Sequence, residues 1–316
     1  MPEAVIVTAI RTPVGRAHKG KLKDTRPDDL AGFILQEAVK HTPGLDVNRI
    51  DDVLVGNAHP EGEAGYNLAR IAVQIAGLPD TVAGATINRF CASGLQTIVQ
   101  GVQSVTSGMA EIVLAGGSDC SSRVPMGGHT MSVNRSLYKK HPEAYHAMGQ
   151  TAEAVARRFG ISREQQDKFA FNSHQKAVAA YTAEKFKEQI VSVPVRIKDE
   201  NEQWHDLVLD KDEGPRADTN LEKLATLKTV FAEDAEATVT AGNSSPLNDG
   251  AAMTVIMTGE EANALGLKPL ATFVQAAVVG VPSDIMGVGP VPAIRKLLQK
   301  TGMTVNDIDL FEINEA

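Results

Sequence analysis

One cysteine of this chain stands where an apolar strand is predicted to end and an amphipathic helix to begin, a place that can make a thiol nucleophilic. Residues 82–87 are apolar and include several β-branched side chains, which predicts a buried strand. After Cys91, apolar residues recur at helical spacing from Leu95 to Val105. We therefore expect Cys91 on the first turn of this helix, where unpaired amide hydrogens and the helix dipole favour the thiolate.

Position alone leaves two interpretations of Cys91 open, a nucleophile and an inert core thiol, because free cysteine is among the most buried residue types. Cys120 is the only other cysteine in the 316 residues. Two cysteines in a chain of this length exclude a disulfide framework and favour a reducing compartment.

The elements that would position Cys91 alternate between strands and helices over the first 120 residues. This alternation predicts βαβ units and a largely parallel sheet that helices cover on both faces. The last of these strands is predicted to end at Gly116 and Gly117. The predicted strands span residues 5–9, 52–57, 82–87 and 111–115, and the predicted helices, besides the one after Cys91, span residues 29–41 and 66–76.

The pattern then changes, and longer polar helices replace the alternation. A capping box at residues 162–165 predicts a helix that runs through Tyr181. The charged run 210–214 is interpreted as a solvated loop, and the apolar run 251–257 as a strand that returns to the first core. The predicted division is an N-terminal α/β core half (1–117), an inserted loop domain (118–249), a return strand (250–266) and the start of a C-terminal α/β half (267–316).

A repeat indicates that the α/β half is duplicated. Residues 44–58 align without gaps on residues 302–316, and six of the fifteen positions are identical. An amphipathic helix precedes each copy, and before that an apolar strand at residues 5–9 or 272–279. The first copy continues to Cys91, whereas the second stops at Ala316, so we expect the second half to be incomplete. A chance similarity between two βαβ units is the alternative.

Composition narrows the class of protein. The formal net charge of −8 argues against nucleic acid as a partner, because no basic excess is available to neutralise phosphates. No apolar run is long enough to span a bilayer, and the first residues lead directly into a strand. We expect a cytoplasmic protein with neither a membrane nor a nucleic-acid partner.

Six motifs, in order along the whole chain, resemble segments of the thiolase family. Asn-Arg-Phe-Cys-Ala-Ser-Gly at residues 88–94 resembles the nucleophile segment of that family. Any one motif is weak, whereas six in this order are specific. The others are Gly-Gly-Ser-Asp at 116–119, Met-Gly-Gln-Thr-Ala-Glu at 148–153, Thr-Ala-Gly-Asn-Ser-Ser at 240–245 with Asn-Asp-Gly-Ala at 248–251, the run 286–293, and Asn-Glu-Ala at 314–316.

The resemblance implies an α/β fold of duplicated βαβαβαββ halves that form a five-layered α-β-α-β-α core, with the inserted loop domain binding coenzyme A. It also implies an acetyl-CoA C-acyltransferase or acetyltransferase of fatty acid metabolism. Such an enzyme exchanges an acyl group between 3-ketoacyl-CoA and coenzyme A, by thiolytic cleavage or by Claisen condensation to acetoacetyl-CoA. Coenzyme A and acyl-CoA thioesters are then substrates, no cofactor or metal is implied, and the protein is expected to be a homodimer or homotetramer.

By the same resemblance, Cys91 is the nucleophile that carries the acyl group as a thioester, and Asn314 positions a water at an oxyanion site. The chemistry needs a soft nucleophile that is also a good leaving group, which cysteine supplies. The resemblance also implies that four residues contact coenzyme A: Lys228 near the phosphates, Ser245 at the pantetheine, Met148 and Ala241.

Several points stay open. A solvated lysine is the alternative for Lys228, and a turn-forming serine is the alternative for Ser245. Ala147 departs from the histidine found there in acetoacetyl-CoA-forming members, which favours a degradative enzyme. The activating histidine and second cysteine of the family correspond to positions after Ala316, and the eight histidines offer no substitute, so we expect these residues alone to be inactive. A ketoacyl synthase-like condensing enzyme and a non-catalytic acyl-CoA-binding protein are the competing functions.

Overall fold

The chain folds into two units, each built from three separate segments. A computed structural model describes residues 2–316. The first unit comprises the chain up to Met131, Glu184–Gly214 and Leu247–Phe273. The second comprises Ser132–Ala183, Pro215–Pro246 and Val274–Ala316. Part of the predicted inserted domain, the segment Glu184–Gly214, therefore lies in the same unit as Cys91.

Among residues 2–316, all strands belong to the first unit, where seven form one sheet and two form a separate hairpin. They are β1 (Ala4–Arg11), β2 (Gly15–Arg16), β3 (Asp52–Gly56), β4 (Ala83–Ile87), β5 (Ile112–Cys120), β6 (Val193–Lys198), β7 (Trp204–Leu209), β8 (Asn248–Thr258) and β9 (Ala271–Thr272). The order in the sheet is β4-β3-β5-β8-β1-β9, with β2 paired to β8, and β6 pairs with β7. The hairpin was not predicted from the sequence.

The prediction of a largely parallel sheet is correct for β3, β4 and β5 and wrong for the other pairs. β3 pairs in parallel with both β4 and β5. β8 lies between β5 and β1 and is antiparallel to both. Cys120 at the end of β5 pairs with Asp249 at the start of β8, so the chain re-enters the sheet at the same end of the strands at which it left. A parallel strand would instead require the chain to cross to the opposite end of the sheet first.

Helices of the first unit cover both faces of this sheet. The helices of the two units together are α1 (Pro27–Lys40), α2 (Leu68–Ile75), α3 (Ser93–Thr106), α4 (Arg135–Lys140), α5 (Met148–Phe159), α6 (Arg163–Thr182), α7 (Leu221–Ala225), α8 (Gly259–Ala264) and α9 (Pro290–Thr301). α1 and α2 pack on one face and α3 on the other. Within residues 2–316, the helices are all too short or too polar to cross a membrane.

Alternating side chains of the central strands supply the two halves of the core, as the period of two in a strand requires. Val53 and Val55 of β3 pack with α1 and α2, whereas Leu54 packs with Val102 and Val105 of α3. All five are at most 5% exposed. The continuous apolar runs that predicted buried strands are explained by this burial on both faces.

Most predicted elements of the first unit are confirmed within a few residues, but two strand limits are wrong. The apolar run 272–279 was predicted as a strand, yet only Ala271–Thr272 is one, paired with β1. A strand requires a neighbour for its backbone groups, and none of residues 2–316 pairs with 274–279. Gly116 and Gly117 do not end β5 but lie inside it, opposite β3 and β8.

The charged run 210–214 is not a free solvated loop, contrary to the prediction. Asp212 forms a two-bonded ion pair with Arg11, at 2.7 and 3.0 Å, and accepts a hydrogen bond from the Val14 amide. Glu213 accepts from the amides of Arg16 and Lys21. These carboxylates therefore fix the turn after β1.

The two copies of the sequence repeat share local geometry. Gly44 and Gly302 both adopt positive φ, at 81° and 70°. Each is followed by a short 3₁₀ helix at equivalent positions, Val47–Arg49 and Val305–Asp307. This agreement in backbone conformation supports the duplication over chance similarity.

Candidate active site

Cys91 is exposed in the short connection between β4 and α3. α3 begins at Ser93 with Ala92 as its N-cap, so the prediction that Cys91 lies on the first helical turn is wrong by two residues. The cause is Phe90, whose φ of 46° turns the chain sharply before the helix starts. Cys91 therefore sits on an elbow, just before the helix.

Hydrogen bonds on both sides hold Phe90 in this conformation. Its amide donates to Asn88 Oδ1 at 2.8 Å. Its carbonyl accepts from the Ser93 amide at 2.9 Å and from Ser93 Oγ at 2.6 Å. Ser93 Oγ also accepts from the Arg89 amide at 2.8 Å. A left-handed conformation costs a non-glycine residue about 1–2 kcal/mol, so these bonds make the elbow a preorganised feature.

Close packing fixes the start of α3 to the sheet. Thr97 Oγ1 donates to the carbonyl of Gly116 on β5 at 2.8 Å. Gly56 of β3 lies directly under the helix, where a Cβ atom would be 2.6 Å from the carbonyl carbon of Ser93. Only glycine permits this approach. The first turns of α3, directly after the elbow, are therefore fixed to β3 and β5.

An imidazole lies beside the elbow. The His59 and Phe90 rings have centroids 6.1 Å apart, and His59 Nε2 accepts from the Gly127 amide at 3.4 Å. Burial lowers the pKa of His59, so this ring is neutral at neutral pH. Sequence reasoning placed His59 with the structural or solvent-facing histidines, because nothing in its local sequence links it to Phe90.

In the second unit, Lys228 and Ala241 flank one short pairing of segments. Thr229 pairs with Thr240 in an isolated antiparallel bridge, and the side chain of Leu227 lies against Gly242. Both predicted contact residues are exposed. Their proximity is consistent with one binding surface.

The other predicted residues of the second unit are anchored by contacts in that unit. Met148 is the first residue of α5, and the next residue, the buried Gly149, packs against the Phe231 ring. Phe231 lies two residues after Thr229, which pairs with Thr240. The exposed Ser245 donates its amide to the Ala316 carbonyl at 2.9 Å. This bond places the segment that contains the exposed Asn314 next to Ser245.

A buried carboxylate, Glu153 on α5, organises the segment that leads into Ala241. It is 4% exposed and accepts from the amides of Thr238 and Val239 at 2.8–3.0 Å, and from Thr238 Oγ1 at 3.0 Å. Glu153 belongs to one of the six motifs, but the sequence did not show what it would bind.

A second buried acid links α6 to the same loops. Asp167, 4% exposed, accepts from Arg163 Nε at 2.8 Å and from Asn243 Nδ2 at 2.9 Å. Arg163 also donates to the Leu227 carbonyl at 3.1 Å, next to Lys228. Arg163 and Asp167 are four residues apart on one helix, which was the only available sequence signal.

We predict that Glu153→Met lowers the free energy of unfolding by about 3 kcal/mol, because two amides lose their buried acceptor. Denaturant unfolding followed by circular dichroism measures this loss. The exposed Glu222→Met is the matched control and should stay within about 0.5 kcal/mol of the parent protein. Equal stability of the two variants would show that Glu153 does not hold the loop.

Comparison with known proteins identifies the family and the fold. The family description "Thiolase, N-terminal domain" matches residues 4–260, and "Thiolase, C-terminal domain" matches residues 267–316. The chain belongs to the thiolase family. It is therefore a thiolase-type acyltransferase with the thiolase fold.

Named relatives and a solved structure cover the whole chain. It is 47% identical over 320 residues to a 3-ketoacyl-CoA thiolase of Bacillus subtilis, covering 100% of this chain and 81% of that protein. It is 40% identical to a probable acetyl-CoA acyltransferase of Staphylococcus aureus, with the same coverage. The crystal structure of the Bacillus anthracis acetyl-CoA acetyltransferase superposes with a TM-score of 0.88 at 41% identity, covering 100% of this chain and 80% of that one.

Proposed function

We propose that this protein transfers an acyl group between a 3-ketoacyl-CoA and coenzyme A through a thioester on Cys91. The observation that carries the proposal is the exposure of Cys91 on a strained elbow that several hydrogen bonds hold in place. A thiolate in such a place is a strong nucleophile, and the resulting thioester remains reactive toward a second thiol.

In the degradative direction, the Cys91 thiol gives up its proton and the sulfur attacks the 3-keto carbon. The bond between C2 and C3 then breaks, its electron pair leaves on C2 as the enolate of acetyl-CoA, and C2 takes up a proton. Coenzyme A next attacks the acyl-Cys91 thioester, which forms a shortened acyl-CoA and restores the thiol. Condensation is the reverse sequence, with acetyl-Cys91 and the enolate of a second acetyl-CoA.

The remaining predicted residues receive roles in this scheme. The Cys91 amide donates to the oxyanion that forms at the attacked carbonyl, and Asn314 orients a water at a second oxyanion site. Lys228 contacts the phosphates of coenzyme A, and Ser245 contacts the pantetheine, with Met148 and Ala241 beside them. Exposure of Lys228 and Ala241 around one pairing of segments supports this assignment.

We predict that the protein catalyses thiolysis of 3-ketoacyl-CoA substrates that are longer than acetoacetyl-CoA. The kcat/KM for these longer substrates should be higher than the kcat/KM for acetoacetyl-CoA. Ala147, which is the N-cap of α5, supports this preference, as do relatives named 3-ketoacyl-CoA thiolase. The assay uses a protein in which the activating histidine and second cysteine of the family are present, and it follows loss of 3-ketoacyl-CoA on addition of coenzyme A across a series of chain lengths. Turnover of acetoacetyl-CoA alone would contradict the preference, and turnover of none would contradict the proposed function.

We also propose a homo-oligomer that acts in fatty acid metabolism in the cytoplasm. β4 is an edge strand, with β3 on one side only, and its residues are half-buried or exposed. An edge strand offers unpaired backbone groups to a second copy. Analytical ultracentrifugation tests the oligomeric state, since a monomer at micromolar concentration would contradict the proposed homo-oligomer.

A further inference from the structure

A partly buried carboxylate lies at the end of β5, outside the residues assigned above. Asp119 Oδ1 accepts from Asn57 Nδ2 at 3.0 Å, and both of its oxygens lie 3.2 Å from the Ala58 amide. Burial raises the pKa of Asp119 to about 6. None of the cationic side chains among residues 2–316 forms an ion pair with it. Only the hydrogen bonds from Asn57 and Ala58, directly after β3, offset the cost of burying this carboxylate.

These donors continue as hydrogen bonds to the elbow. The Ala58 carbonyl accepts from Asn88 Nδ2 at 3.0 Å. Asn88 Oδ1 in turn accepts from the amide of Phe90, the residue with positive φ next to Cys91. A connected path of Asp119, Ala58, Asn88 and Phe90 therefore joins the carboxylate to the nucleophile segment. We call this path the elbow relay.

The relay matters because Phe90 is strained. Backbone in a left-handed conformation persists only where the surroundings fix it from several sides. Asn88 fixes one side of Phe90, and the Ala58 carbonyl sets the orientation of the Asn88 amide. Asp119 holds Ala58 from the opposite side.

Asn57 serves this arrangement only as a donor. Its Nδ2 donates to Asp119 Oδ1 and to the Ser118 carbonyl at 2.8 Å. Its Oδ1 is buried and has no partner among residues 2–316. The Asn57 side chain thus directs both N–H bonds of its amide toward β5 and leaves its buried oxygen unpaired. This orientation fixes the segment after β3 to Asp119.

We propose that Asp119 is a positioning residue for the acyl-transfer reaction, whose carboxylate fixes the conformation of the Cys91 elbow through the elbow relay. The proposal rests on the proposed function only in taking Cys91 as the nucleophile. When Asp119 is protonated on Oδ2, that oxygen becomes a donor and its contact with the Ala58 amide is lost, and the neutral acid accepts more weakly from Asn57 and Ala58 at Oδ1. The elbow is thus held best above the pKa of Asp119 and loosens below it.

Other ionisable groups lie near Asp119, and one of them, His59, requires a control variant in the test of this proposal. His59 follows Ala58 directly, and burial lowers its pKa below the ordinary imidazole value. Burial raises the pKa of both Cys120 and Asp249, and the bond with Arg123 lowers that of Glu63. The ionisable groups around this end of the sheet include His18 after β2, His59 after β3, Cys120 on β5, Arg123 after β5, Asp249 on β8, Glu63 in Gly62–Ala64 and Asp28 on α1.

The test compares Asp119→Asn, Asp119→Glu and His59→Asn with the parent protein in two assays. The first is the rate of alkylation of Cys91 by iodoacetamide from pH 5 to 8, read by mass spectrometry on the Cys91 peptide so that buried Cys120 does not contribute. Alkylation of any thiol accelerates with pH because the thiolate is the reactive species. On that smooth increase we expect an additional step near pH 6 in the parent protein and in His59→Asn, and the smooth increase alone in Asp119→Asn. A step that survives Asp119→Asn overturns the proposal.

The second assay is thiolysis. We expect Asp119→Asn to lower kcat by about tenfold with little change in KM for coenzyme A, and Asp119→Glu to recover most of the loss. A change in KM alone would overturn the proposal. If the parent protein alkylates with the expected step but shows no thiolysis, the proposed function fails and the elbow relay stands.

Asn88→Ala keeps the proposal testable if Asp119→Asn does not fold. Asn88 is exposed, so this change removes the middle of the relay without opening the core. It should reproduce both the loss in kcat and the loss of the alkylation step. An Asn88→Ala variant with the parent profile would overturn the proposal.

Discussion

Replacing Cys91 by serine is expected to lower the rate of acyl transfer by about three orders of magnitude or more, while coenzyme A binds nearly as well as to the parent protein. A serine hydroxyl is a weaker nucleophile at neutral pH, and its oxygen ester is a poorer acyl donor to a thiol. The predicted contacts to coenzyme A come from other residues. Thiolysis kinetics give the rate, and isothermal titration with coenzyme A gives the dissociation constant.

The other cysteine provides the matched control for this substitution. Cys120 is 2% exposed in the core of the sheet, and burial raises the pKa of its thiol well above the ordinary value. It is therefore unreactive, and Cys120→Ala should keep its acyl-transfer activity. Full activity in Cys91→Ser, or a loss confined to Cys120→Ala, would contradict the assignment of the nucleophile. A loss of coenzyme A binding in Cys91→Ser would point to a structural role for the thiol.

Gly56→Ala is expected to lower both the stability and the acyl-transfer activity of the protein. The new Cβ atom would lie 2.6 Å from the carbonyl carbon of Ser93 and 2.7 Å from the amide nitrogen of Gly94. Both contacts are with backbone, so α3 or β3 must shift. We expect the free energy of unfolding to fall by about 3 kcal/mol. Because the shifted helix carries the elbow, acyl transfer should fall by about a hundredfold in the fraction that remains folded.

Gly214→Ala is the matched control, since a Cβ atom at Gly214 would meet no atom within 4 Å. Its unfolding midpoint and activity should equal those of the parent protein. Denaturant unfolding and thiolysis on both variants measure the two effects separately. A Gly56→Ala variant with parent stability would contradict the close approach of α3 to β3.

Sequence reasoning placed Cys91 between a strand and a helix because the elements around it have strong patterns. The apolar run before Cys91 and the helical periodicity after it correspond to β4 and α3. The start of α3 was placed two residues early because the positive φ of Phe90 has no local signal. Asn88, which stabilises that turn, is two residues earlier and has no effect on hydrophobic periodicity.

Features that depend on contacts between distant segments could not be predicted. The charge of Asp212 and Glu213 suggested solvent, yet their partners lie near the start of the chain, from Arg11 to Lys21. The apolar pattern of residues 251–257 identified β8 as a strand but carries no information about its direction. The same limit explains the strand predicted at 272–279, since a pattern shows what a segment can form but not whether a partner is present.

The residues that hold the second-unit loops illustrate the same limit at the candidate site. Lys228, Ser245, Met148 and Ala241 were proposed from motif resemblance, and their roles remain predictions. Glu153 and Asp167 organise the same loops, but a buried acid in a polar helix cannot be told from an exposed one until its donors are known.

The central claim is that Cys91 carries the acyl group, and mass spectrometry of the acylated protein tests it most directly. The protein is incubated with acetyl-CoA without a second substrate, quenched in acid and digested at low pH to preserve thioesters. We predict one acetyl group on the Cys91 peptide that free coenzyme A removes, with the Cys120 peptide unmodified. An acetyl group on another residue, or none on Cys91, would contradict the account.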